Sequence, residues 1–308
     1  MGTEEQVRND GVYGIPSAEL AGQTEHAIQF SPLVPGARSL EAWDEAPLAG
    51  MTMLAPPGTI ERRYAMAAAL KVLAPGAQFT VLAPKTKGGA RLAAELEGFG
   101  CTVEETTKRH HRICVCLHQP ALVGLDEALA NGAPRLVEAI GLWSQPGIFS
   151  WDRIDPASAL LLQHLPPLAG RGADLGCGIG ILALNVLASP KVEHLTLIDI
   201  DRRAIEAARR NVSGNRVQFL WADVCASPTL LSGLDFVVMN PPFHVSGTED
   251  HGLGQNFIRR AAEALRPGGV CWLTANRHLP YEAVMKPLFR RITLKADTAG
   301  YKIYEALR

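Results

Sequence analysis

Asp174-Leu175-Gly176-Cys177-Gly178-Ile179-Gly180 is the stretch that decides the fold. It follows a short strand candidate at 172–175 and opens an apolar helical segment at 181–188. Glycines there let the backbone turn tightly and approach a ligand without a Cβ in the way. Such a loop also delivers backbone N–H groups and a helix N-terminus to whatever binds. Working outward, apolar runs of strand length at 194–199, 217–221, 235–239, 270–274 and 291–294 alternate with segments of helical period. That alternation predicts an α/β fold built on a parallel sheet with crossover helices. The clearest helix runs from Asp201 to Asn211, with Ile205 and Ala208 inward and arginines outward, and Arg266-Pro267-Gly268-Gly269 reads as a turn launching the next strand.

The loop spacing selects the ligand. Dinucleotide sites usually show G-x-G-x-x-G, which seats a pyrophosphate. Here the spacing is G-x-G-x-G with Asp174 two residues before Gly176, and an acid there repels a pyrophosphate and suits a cation. S-adenosylmethionine carries no phosphate but has a cationic amino-acid end and a sulfonium, so Asp174, Gly176, Gly178 and Gly180 are its candidate contacts. Asp199 ends the next strand, where a carboxylate can hold two ribose hydroxyls. Asp201 competes for that role but reads better as a helix cap. Asp223, after the third strand, either receives the adenine amino group or caps a loop.

Asn240-Pro241-Pro242-Phe243 follows the fourth strand at the C-terminal edge of the sheet, where open α/β folds bind ligands. Two prolines make this a rigid loop rather than a strand. The Asn240 side-chain oxygen and a prolyl carbonyl can each accept one hydrogen from a planar NH2, which turns the nitrogen lone pair toward a sulfonium methyl. Phe243 offers a face on which an extruded base can stack. The leaving group is a neutral thioether, so positioning is expected to carry much of the catalysis without a strong base or a metal.

The first half holds a fainter version of this pattern. Met53-Leu54-Ala55-Pro56-Pro57 aligns with Val238-Met239-Asn240-Pro241-Pro242, and Leu73-Ala74-Pro75-Gly76 aligns with Leu265-Arg266-Pro267-Gly268. A helical pattern at 91–96 and a strand pair within 103–117 complete the parallel; chance likeness between two α/β stretches is the alternative. Ala55 stands where Asn240 stands, and no glycine-rich loop precedes it, so this half is expected to support or dock rather than catalyse. The domains expected are residues 1–130, degenerate, and 131–308, catalytic. Residues 1–50 are not placed on elements, and 118–144 reads as linker plus a helix at 134–142.

Composition bounds the rest. The 308 residues carry a formal net charge of -1 and are 47% hydrophobic, so a nucleic-acid partner must be met by local basic surface. Candidates are 108–112, Lys85 with Lys87 and Arg91, and Arg290-Arg291, each of which also reads as a solvated face. Six cysteines form no C-x-x-C pair, which leaves zinc-ribbon and thioredoxin readings unsupported and fits structural thiols in a reducing cytoplasm. No apolar run is long enough to span a bilayer, and the polar first ten residues do not read as a signal peptide.

Taken together, Pro146-Gly147-Ile148-Phe149-Ser150, Asp155-Pro156-Ala157-Ser158, Asp174 to Gly180, Asp199, Asn240-Pro241-Pro242-Phe243-His244, Ala275-Asn276-Arg277-His278-Leu279 and Lys302 resemble the bacterial ribosomal RNA guanine-N2 methyltransferases. These are the RsmC and RlmG type of the small-domain, class I (Rossmann-like) methyltransferases. The resemblance covers essentially the C-terminal half. It implies two methyltransferase-like domains in tandem, the first without a cofactor site and here shorter than usual. It also implies that 149–158 covers the bound cofactor, making Asp155 and Ser158 cofactor contacts; without the family they read as a helix N-terminus. Arg277 and Lys302 follow late strands and are candidate substrate contacts. The activity implied is S-adenosylmethionine-dependent methylation of a guanine N2 amine in ribosomal RNA or a ribosomal subunit. Adenine-N6 or glutamine-N5 methylation uses the same loop chemistry, and a non-catalytic RNA-binding assembly factor is the rival from another class. A nicotinamide-dependent dehydrogenase is disfavoured by the glycine spacing.

Overall fold

The computed structural model describes residues 9–226, 231–242, 244–245, 248–249 and 251–308. Its contacts divide the chain into two compact units, Met1–Ala133 and Pro134–Arg308.

The first unit runs β1 (Asp10–Tyr13), α1 (Ala18–Ala21), β2 (Ile28–Gln29), β3 (Leu48–Leu54), α2 (Thr59–Val72) and β4 (Leu73–Pro84). It continues through α3 (Leu92–Glu97), β5 (Glu104–Lys108), β6 (His111–Leu117) and α4 (Leu125–Gly132). Its six-stranded sheet has the order β2-β1-β3-β4-β6-β5, parallel as far as β4 and antiparallel beyond. The core packs Met51 and Met53 of β3 and Phe79 and Val81 of β4 against the alanine-rich face of α2, with Ala65 to Leu70 buried. Small side chains on α2 let the helix lie close to the sheet.

The second unit opens with a hairpin, β7 (Arg135–Val137) and β8 (Leu142–Ser144), and then α5 (Pro156–His164), β9 (Gly170–Leu175), α6 (Ile181–Leu187), β10 (Val192–Asp199) and α7 (Arg202–Asn211). After β11 (Val217–Trp221) and β12 (Leu234–Met239) come a two-residue pair, β13 (His244–Val245) with β14 (Thr248–Glu249), and α8 (His251–Ala264). It ends with β15 (Leu265–Asn276), α9 (Tyr281–Met285), β16 (Arg291–Thr298) and β17 (Tyr301–Leu307). The seven-stranded sheet has the order β11-β10-β9-β12-β15-β17-β16, the doubly wound α/β arrangement expected. Chain direction along the sheet reverses between β9 and β12, and that switch point is where such sheets place their ligands.

From Phe236 to Met239, β12 is an unbroken apolar run. Phe236 and Val238 enter one core cluster, while Val237 and Met239 enter the cluster on the opposite face. With side chains alternating at period two, a stretch of strand covered on both sides is apolar on both faces. Each such burial contributes roughly 1.5–3 kcal/mol.

Three readings of the sequence change. Residues 134–142 are not a helix: they form the β7–β8 hairpin, turned at Gly141 with φ 66, while the helix lies earlier, in α4. The Asn211 side chain holds the hairpin from outside, accepting from Trp143 N at 2.7 Å and donating to Trp143 O at 2.9 Å. The 266–269 turn lies within β15 as an irregularity, where the register against β12 shifts between Leu234 and Phe236. The unplaced 1–50 stretch supplies β1, α1, β2 and the start of β3.

Candidate active site

The tips of three neighbouring strands build the site. β9 pairs with β12 in parallel, Leu175 opposite Met239, and with β10, Leu175 opposite Ile198. Continuing one residue past each of these pairs therefore sets Gly176 between Asn240, just after β12, and Asp199, the last residue of β10. Gly176 has φ 71, and a Cβ there would lie 3.4 Å from the Phe257 ring and 4.0 Å from Pro242 Cδ. The glycine loop and the prolyl loop thus lie side by side at the strand tips.

The glycine loop is tied to the acid at the end of β10. Gly178 N donates to Asp199 Oδ2 at 2.8 Å, and Asp201 N donates to Asp199 Oδ1 at 2.9 Å. Backbone N–H groups thus hold both carboxylate oxygens, and an ionised carboxylate with lone pairs to spare suits a vicinal diol. Burial raises the Asp199 pKa to about 6, against the pull of the Asp201 and Gly178 N–H groups. Asp201 itself accepts from Arg203 N at 3.0 Å at the start of α7 and pairs with the Arg203 guanidinium at 2.8 Å, so it is a cap.

Asp174 lies fully buried beneath the loop, and neither of its oxygens finds a donor in hydrogen-bond geometry. Burial pushes its pKa up to about 8, the Asp199 charge adds to the rise, and the Ala183 backbone N–H opposes it weakly. An unpartnered buried carboxylate is costly, and it fits a cofactor with a cationic end. Gly178 (φ 53) faces open space, where an added Cβ would touch nothing within 4 Å. An acid without a partner, an anchored diol acceptor and an open glycine loop together fit S-adenosylmethionine.

Asn240 is fixed by its amide nitrogen, which donates to Asp155 Oδ2 at 2.8 Å and to Ser158 Oγ at 2.9 Å. Asp155 also caps α5 by accepting from Ser158 N at 2.9 Å. The sequence suggested Asp155 and Ser158 as cofactor contacts; their bonds to Asn240, across more than eighty positions, had no signal in it. Pro241 is buried and Pro242 half-buried. Phe243 lies outside the described residues. Asp223 follows β11 and accepts from Cys225 N at 2.7 Å, a loop bond that leaves its adenine role open.

The expected substrate contacts each hold an ion pair. Arg277 pairs with Asp297 at 2.5 Å, and Lys302 pairs with Glu282 at 2.6 Å, where Tyr304 also donates its hydroxyl. Within the basic stretch 108–112, Arg109 pairs with Glu19 and Arg112 with Glu105, as a solvated face does. Among the described residues, no group of three or more His, Cys, Asp or Glu is arranged to hold a metal ion, and no helix is long and apolar enough to cross a membrane.

Comparison with known proteins supports the methyltransferase reading. The model of the methyltransferase small domain matches residues 139–305, more than half of the chain. The ribosomal RNA small subunit methyltransferase C of Stutzerimonas stutzeri is 30% identical, the match covering 96% of this chain and 93% of that protein. Its namesake from Pseudomonas entomophila is 31% identical over 76% of this chain and 71% of that protein. In fold, the chain is similar to the Thermus thermophilus 16S rRNA N2 G1207 methyltransferase (RsmC), solved with AdoMet and guanosine. The TM-score is 0.78 at 23% identity, covering 99% of this chain and 90% of that one. The chain belongs to the methyltransferase small-domain family, and within it to the ribosomal RNA small subunit methyltransferase C group.

Proposed function

We propose that this protein transfers a methyl group from S-adenosylmethionine to the exocyclic N2 amine of a guanine in small-subunit ribosomal RNA. The observation that carries the reading is the meeting of the two loops at neighbouring strand tips. The Asp199-anchored glycine loop and Asn240 stand at adjacent strand tips, with Gly176 between them. The chemistry supplied by the bound cofactor is an electrophilic methyl on a sulfonium that leaves as a neutral thioether. The chain's own part is geometric. Asp199 holds the ribose diol and Asp174 faces the cationic end. Asn240 accepts one amine hydrogen through its side-chain oxygen, and the rigid Pro241-Pro242 backbone offers a second acceptor. The lone pair is then aligned for in-line attack, and proximity of this kind supplies much of the rate.

The test is nucleoside mass spectrometry of ribosomal RNA from a strain lacking the gene, with purified protein added back to its small subunits and to naked RNA. The expected result is loss of one N2-methylguanosine from small-subunit RNA, restored by the protein and S-adenosylmethionine. Loss of N6-methyladenosine, or an unchanged RNA profile, overturns the reading.

A further inference from the structure

An amide side chain has two nearly isosteric orientations, one presenting its oxygen and the other its NH2. Only one of them can receive a hydrogen from a target amine. We infer that Asp155 and Ser158 are positioning residues that fix the Asn240 amide in its acceptor-outward orientation for methyl transfer. The inference rests on the reading of Asn240 as the holder of the target amine.

The geometry is specific. Both hydrogens of the Asn240 amide nitrogen are engaged, one by Asp155 Oδ2 at 2.8 Å and one by Ser158 Oγ at 2.9 Å. A carboxylate only accepts, so the opposite flip would bring two acceptor oxygens face to face. The amide oxygen therefore points away from the start of α5. A charge-assisted bond at the nitrogen also polarises the amide and strengthens its oxygen as an acceptor. That matters most as the target N–H gains positive charge during transfer, so the effect belongs to the transition state. Asp155 is itself held, because the oxygen that meets Asn240 also accepts from Ser158 N in the first turn of α5. Ser158 is nearly buried. The orientation is thus set by a helix terminus and not by a mobile side chain.

Capping and positioning can be separated by substitution. Asp155→Ser keeps a good helix cap but is too short to reach Asn240. Asp155→Asn keeps an oxygen that can serve both the cap and the amide. Each is assayed in the full chain with small ribosomal subunits from the deletion strain, alongside calorimetry with S-adenosylmethionine and a thermal melt. Asp155→Ser is expected to lower kcat by about 10- to 100-fold, the scale of a lost transition-state contact, with cofactor affinity within about threefold. Asp155→Asn is expected to recover most of that loss. Ser158→Ala is expected to lower kcat by about three- to tenfold, in line with loss of one neutral hydrogen bond. Wild-type turnover in Asp155→Ser overturns the inference and leaves Asp155 a cap. Cofactor affinity falling in step with kcat also overturns it and makes Asp155 a cofactor contact. Asn240→Ala separates the two levels. If that variant turns over normally, the reading of Asn240 fails and the inference falls with it. If it is inactive while Asp155→Ser is not, the positioning inference alone fails.

Discussion

Ala55-Pro56-Pro57 and Asn240-Pro241-Pro242 occupy matching places in the two halves. Each follows a parallel strand set between the first strand of its sheet and a long strand entered through a Pro-Gly irregularity, β3 between β1 and β4, β12 between β9 and β15. They are completed in opposite ways. In the first half, Arg62 is fully buried and its guanidinium donates to Pro57 O at 2.8 Å and Pro56 O at 3.2 Å. Its other nitrogens meet both oxygens of Glu95 at 2.7 and 2.6 Å. Gly88 makes room for it, since a Cβ there would lie 2.2 Å from Arg62 Nη1. In the second half no such cation reaches the loop among the described residues; Asn240 is held from its amide side instead. A prolyl loop at a strand tip is a scaffold for presenting acceptors. Whether it can meet a substrate depends on whether the protein has already met those acceptors itself.

Substitutions at Asn240, Arg62, Asp199 and Asp174 break or sharpen this contrast. Asn240→Ala removes the presented acceptor and is expected to lower methyl transfer by about a thousandfold or more, roughly 4 kcal/mol of barrier. Calorimetry on the same variant is expected to show S-adenosylmethionine affinity within about threefold of normal. Arg62→Ala is expected to cost the fold about 3–5 kcal/mol, because it strands buried Glu95 without its partner. A denaturant titration reads this loss, and pairing Arg62→Met with Glu95→Leu is expected to recover most of it. Asp199→Ala is expected to weaken cofactor binding about 10- to 100-fold, or ~1.4–2.8 kcal/mol, by removing a charged acceptor of two hydroxyls.

The smallest effect is a change of slope. Asp174 has its pKa raised from 3.8 to about 8, so the folded state holds a proton that the unfolded state has already released. The ligand-free protein then binds more protons folded than unfolded between these values, and its stability falls as pH rises through that window. Asp174→Asn is expected to flatten this decline and leave the ligand-free variant more heat-resistant than wild type at pH 8. Melts taken from pH 5 to pH 8.5 that show parallel curves for the two proteins contradict the burial of an unpartnered acid.

Much of the second half was legible because its chemistry is local. Glycine spacing, a following helix and acids at strand ends are all short-range patterns, and the strands of a buried parallel sheet announce themselves as apolar runs. What escaped was decided by partners far away in sequence. The spacing of Leu136, Val137, Ile140 and Leu142 imitates a helix, but the reach of Asn211 and the left-handed Gly141 make a hairpin of it. β1 and β2 are too short to show periodicity and exist because β3 gives β1 a partner, and β1 gives one to β2. Arg62 and Arg63 look alike as letters, yet one is sealed in the core, and only the fold shows which. Asp155 was readable as a helix cap; its second bond was not.

Both sheets finish the same way: a hairpin docks through its later strand, so that β6 sits between β4 and β5, and β17 between β15 and β16. The earlier strand of each pair is left outermost, and it is the polar one. All five residues of β5 are exposed, including Glu104, Glu105 and Lys108, while outward positions of β16 carry Arg291 and Lys295. A strand bearing charge along its free rim makes a poor template for another chain. Once its later strand is in place, each sheet therefore guards this border against runaway strand addition.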